Sequence, residues 1–85
     1  MKLSMRNKFI LESLASDLKR VAMGKHRGSN SMADRFLEEA LKRKQELEMG
    51  NVAPYVKKLL KRIDREINSE DALMYSILIQ NYAQK

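Results

Sequence analysis

The chain predicts an all-α fold of about four short helices packed as a compact antiparallel bundle, and three observations carry that expectation. Apolar residues recur at three- and four-residue steps through most of the 85 residues. Glycine and proline together number four, too few for a chain rich in β-turns. Lys, Leu, Glu, Met and Ala, all good helix formers, are abundant. Eighty-five residues make one domain, 1–85, with a core near the lower limit of independent stability. Self-association is a reasonable expectation for a domain of this size.

The first helix is expected over 4–23. Leu3, Ile10, Leu11, Leu14, Leu18 and Val21 line one face, with Asn7 as a gap in the stripe. Met5, Phe9 and Met23 fall on the opposite face and suggest a second contact. Gly24 suits the position just past the helix end, and Gly28, Ser29 and Asn30 form a connecting loop.

The second helix is expected over 31–49, from a Ser31 cap to Gly50. Ala33, Phe36, Leu37, Ala40, Leu41 and Leu47 give its apolar face. Glu38 with Lys42 and Glu39 with Arg43 stand at the favourable i,i+4 spacing. Lys44 interrupts the apolar face, its ammonium expected to reach outward.

The third helix, 53–68, opens with Pro54 in its first turn, where the missing N–H is harmless. Val56, Leu59, Leu60, Ile63 and Ile67 form its apolar stripe. Lys57, Lys58, Lys61, Arg62 and Arg65 cover the outer face, relieved in part by Asp64 and Glu66.

The fourth helix, 70–83, follows a Ser69 cap with Glu70 and Asp71 in its first turn. From Ala72 to Gln84 no residue is charged. A helix apolar on all sides belongs in a core or an interface. Leu73, Met74, Ile77, Leu78 and Tyr82 are therefore the expected surface of a homodimer. A strand is the competing assignment for this segment, but no second strand is available to pair with it.

The composition also excludes functions. With no cysteine there is no disulfide, thiolate metal site or cysteine nucleophile. The one histidine, His26, has no cysteine and no converging carboxylates to complete a metal site, so none is expected, and no cofactor motif is present. The N-terminus begins with positive charge, yet Glu12, Ser13 and Asp17 break the apolar run, so no secretion signal is read and a cytoplasmic location is expected. No apolar stretch has the length of a membrane span.

The formal charge of +6 raises the expectation of an acidic partner, whether protein, nucleic acid or anionic lipid. Two basic surfaces stand out. One is the loop Lys25, His26 and Arg27 between Gly24 and Gly28, where an anion can approach the backbone, although no phosphate-loop pattern is present. The other is the helix-three row Lys57, Lys58, Lys61, Arg62 and Arg65. Tyr55, Tyr75 and Tyr82 are candidates for stacking on bases, and equally for core or interface rims.

Arg20 and His26, six residues apart, are similar to the Arg-x(4–6)-His element of HEPN-type ribonucleases, which are helical and usually dimeric. The resemblance covers that pair alone; Val21 stands where that family prefers a polar residue, and its domains are longer. It implies Arg20 holding a scissile phosphate and His26 transferring a proton. No other enzyme pattern is present. The leading expectation is a non-enzymatic interaction or regulatory module that self-associates and shows basic faces to an acidic partner. Nucleic-acid binding through helix three and the Gly24–Gly28 loop is the alternative, and an RNase-like enzyme is a distant third.

Overall fold

The computed structural model describes residues 3–84, and among these every regular element is helical. The elements are α1 (Met5–His26), α2 (Asn30–Glu46), a single 3-10 turn (Met49–Asn51), α3 (Pro54–Lys61) and α4 (Ser69–Ala83). They pack into one elongated body of about 40 × 19 × 19 Å. The long helix α1 is the spine, and α2 and α4 both pack along it.

The stripe on α1 forms the centre of the core. Leu11, Leu14, Leu18 and Val21 are fully buried, joined by Val52, Val56, Leu60, Ile63, Ile67, Tyr75 and Ile79 from the rest of the chain. Asn7 continues this stripe. It is fully buried, and its amide spans the backbone of Glu48, donating to the carbonyl (2.9 Å) and accepting from the N–H (3.1 Å). Ser4 caps α1, its hydroxyl accepting from Asn7 N–H at 3.1 Å.

The helix ends differ from the predicted ones for local reasons. Gly24 lies within α1, because its missing Cβ is needed for packing. A methyl group there would sit 2.9 Å from the backbone nitrogen of Ala33. The residue that turns the chain is Gly28, at φ +77°. Gly28 N–H donates to Lys25 O (3.2 Å) and Ser29 N–H to Gly24 O (2.8 Å), the Schellman arrangement. The link to α2 is correspondingly short, and α2 starts at Asn30 with Ser29 at its cap position rather than Ser31. At its other end α2 stops at Glu46, and Gly50 belongs to the 3-10 turn instead of ending the helix.

α3 opens at Pro54 as the sequence suggests but ends at Lys61, not at 68. Asp64 accounts for this: its carboxylate accepts from Glu66 N–H (2.9 Å), a local turn that competes with helix. Ile63 and Ile67 stay buried although they stand outside the helix, in the segment linking α3 to α4. Lys44 serves that turn, its ammonium donating to Ile63 O at 3.0 Å rather than pointing to water. α4 starts at Ser69, with Asn68 as its cap accepting from Asp71 N–H at 2.7 Å.

Candidate functional site

Three surfaces carry the residues singled out from the sequence. The first is the outer face of α4. At 100° per residue, Ala72, Tyr75, Ser76, Ile79 and Ala83 share one arc and are buried. Leu73, Met74, Ile77 and Leu78 share the opposite arc and are 45%, 47%, 51% and 40% exposed. So α4 is not enclosed on all sides: half its apolar surface builds the core and half faces out. Tyr82 turns away from this patch. It is half-buried, its hydroxyl accepts from Ala53 N–H at 3.0 Å, and its ring meets Tyr55 edge-on at 5.8 Å.

Where the patch ends at Leu73, α4 and α1 leave a groove of about 430 Å³. Ala22, Met23 and Leu73 supply its apolar lining, and His26, Arg27, Ser69 and Glu70 its polar lining. Met5 and Phe9 are exposed at the other end of α1, beside Lys8 and Glu12.

The second surface is the end of α1. Lys25 is half-buried, while His26 and Arg27 are exposed. His26 faces the groove beside α4. Arg20 faces the other flank of α1, where it donates to Ser16 Oγ (2.9 Å), stands 3.7 Å from Asp17 and lies over the Phe36 ring at 5.3 Å. Six helical residues put the two side chains about 120° apart around the axis. The structure therefore does not bring Arg20 and His26 to one site. Among the described residues no group of three or more His, Asp or Glu is placed to hold a metal ion.

The third surface is α3. Val56 and Leu60 face the core, and Lys58, Lys61 and Arg62 are exposed, with Lys57 half-buried. These four have no ion-pair partner among the described residues, whereas Arg65 is hydrogen-bonded to Glu38 on α2. That bond holds the Glu38 carboxyl below its usual range, with the Arg65 charge assisting. The pairs expected within α2 are redirected by tertiary structure: Glu38 reaches Arg65, and Arg43 reaches Asp17 on α1 at 2.9 Å. Only the weak Glu39–Lys42 pair, at 4.0 Å, is internal to α2. Asp17 is buried, and its burial pushes the carboxyl above its usual range despite the opposing pull of the Arg43 hydrogen bond and the Arg43 and Arg20 charges.

Of the three tyrosines the sequence offers for stacking, Tyr55 lies on this surface, whereas Tyr75 is buried and Tyr82 half-buried. Tyr55 is 52% exposed, and steps of three and seven place it on the same side of α3 as Lys58 and Arg62. The signal was available in the spacing, but Tyr55 reads equally well as a rim residue until its exposure is known.

Comparison with known proteins finds no family model that matches this chain, no curated protein similar to it and no solved structure that matches it. No helix among the described residues is long and apolar enough to cross a membrane.

Proposed function

We propose that the protein is a small non-enzymatic interaction module that self-associates through the outer face of α4 and presents the basic face of α3 to an acidic partner. The observation that carries this reading is the placement of Leu73, Met74, Ile77 and Leu78 on one exposed arc of an uncharged helix. Together they expose nearly two side chains' worth of surface, about 370 Å² at roughly 200 Å² apiece, as much as the largest apolar patch of a typical monomer. Two copies meeting on this face would bury about 700 Å² of apolar area. With the polar rim that homodimers carry, this approaches roughly 1,200 Å², the lower bound of a stable interface.

The arrangement of the helices favours such a surface. The contacts Gly24–Ala33, Asp17–Arg43 and Asn7–Glu48 run in opposite chain directions along α1 and its partner segment, supporting an antiparallel α1–α2 pair. The α1 end meets the α4 start at the groove, which supports the same relation for α4. Each neighbour of α1 then directs one face inward and one face to solvent.

Sedimentation equilibrium tests the assembly. The 9.9 kDa chain is expected to sediment above monomer mass, and Ile77→Glu to return it to monomer with its helical circular dichroism unchanged, since Ile77 is half exposed. A wild-type chain that stays monomeric at hundreds of micromolar removes self-association. The second reading, nucleic-acid binding through α3, is favoured by the four cations without ion-pair partners among the described residues. Counterion release makes its signature a steep fall of affinity with salt.

A further inference from the structure

We infer that the acidic partner of α3 is a single-stranded nucleic acid, held by Lys58 and Arg62 on its phosphates and by Tyr55 stacked on a base. The inference rests on the reading of α3 as the partner-facing surface, and it names the chemistry that surface fits.

Three observations combine. Tyr55, Lys58 and Arg62 occupy one side of α3, with Lys61 and Lys57 on the adjoining side. Lys58 and Arg62 are one helical turn apart, about 6 Å along the axis, so two neighbouring phosphates can be met without bending the helix. None of the four cations is committed to an ion pair among the described residues, so binding breaks no internal contact. In contrast, the other cation–aromatic cluster, Arg20 and Arg35 over Phe36, is already occupied: Arg20 is held by Ser16 and Asp17, and both guanidiniums lie against the ring.

Tyr55 separates a single strand from other polyanions. Its ring is half exposed, and its edge-on contact with Tyr82 fixes it in place, so a stacking base meets a preorganised platform. Tyr82 is itself tied to the start of α3 through Ala53 N–H. A base in a duplex has no free face to offer, and an acidic peptide has no flat ring system to match it. Stacking of this kind is tolerant of sequence. α3 also lacks the Asn and Gln side chains that read base edges, so binding with little sequence preference is expected. Asp64 is engaged with Glu66 N–H, and Glu66 lies past the helix end, so the acidic residues nearest in sequence sit beyond the row.

The test is fluorescence anisotropy of the full chain with fluorescein-labelled 15-nucleotide U-tract RNA, the corresponding T-tract DNA, a 15-base-pair duplex and polyglutamate, each across a salt series. The single strands are expected to bind more tightly than the duplex and polyglutamate. Tyr55→Ala should weaken single-strand binding on the order of tenfold with the salt slope unchanged, because stacking releases no counterion. Tyr55→Phe should restore it, which separates stacking from any loss of fold. Lys58→Gln and Arg62→Gln should each flatten the salt slope by about 0.7. Equal affinity for duplex and single strand, with Tyr55→Ala silent, overturns the inference while leaving the basic face as the binding surface. Binding of polyglutamate alone does the same in favour of an acidic protein. Failure of all four probes removes both the inference and the reading beneath it.

Discussion

Replacing Asn7 by Ala should be among the most damaging single changes in this chain, although it removes only three heavy atoms. Asn7 is fully buried and closes two hydrogen bonds on the Glu48 backbone, 41 residues away. Two net hydrogen bonds contribute about 2 kcal/mol, and a stranded donor or acceptor adds about 1 kcal/mol or more wherever water cannot reach it. Glu48 is exposed as a residue, so water will recover part of that second contribution. The expected loss is therefore about 2–4 kcal/mol, against a total of roughly 4–13 kcal/mol for a domain of this length. Urea denaturation should show the midpoint falling with its slope unchanged, and the thermal midpoint should drop by about 10 °C or more. Ser4→Ala, which removes only the cap on Asn7 N–H, is the control and should lose about 1 kcal/mol. A loss below about 0.5 kcal/mol for Asn7→Ala would refute the claim that this amide anchors the 47–53 segment to the start of α1.

Other substitutions probe other features. Gly24→Ala should destabilise by about 1–3 kcal/mol in urea despite alanine's helix preference, because the new methyl meets the Ala33 backbone. Gly28→Ala meets nothing within 4 Å and should lose about 1–2 kcal/mol through its left-handed backbone alone. Carboxyl titration by NMR should find Asp17 above its usual value and Glu38 below it. The signs follow from linkage. The folded state holds the Asp17 proton more tightly, so that contribution is present at low pH and fades as pH rises through the elevated folded value. Glu38 contributes in the opposite sense, present above its unfolded value and lost as pH falls through the lowered one; Arg65→Ala should return Glu38 to the usual range.

Periodicity carried the helices because most inward positions are apolar, with Asn7, Asp17 and Ser76 the buried polar exceptions among the described residues. Val56, Leu60, Ile63 and Ile67 were all placed inward by spacing alone and are all buried. What spacing cannot convey is which partner a polar side chain finds across the fold. Asn7 looked like a gap because its partner lies 41 residues on, and Arg43 looked like a partner for Glu39 because Asp17 lies 26 residues back. The two glycines make the same point. Gly24 and Gly28 are each plausible helix stops, and only the close approach of Ala33 reveals that Gly24 is there for packing. The basic row on α3 was equally visible in the sequence. That Arg65 is engaged and Lys58 and Arg62 are not depends on Glu38, which reaches over from α2.

The central place of α1 has a consequence for how the chain is made. α2 follows α1 directly in the chain, so the contact between them forms from nearby segments. The other wall of the core, Tyr75 and Ile79 on α4, is synthesised about 60 residues after Leu11 and Leu14. At ordinary translation rates of roughly 5–20 residues per second, that is a delay of several seconds. During it the α1 core positions lack the cover that Tyr75 and Ile79 later supply. Of the four helices, α4 (Ser69–Ala83) therefore completes the core last.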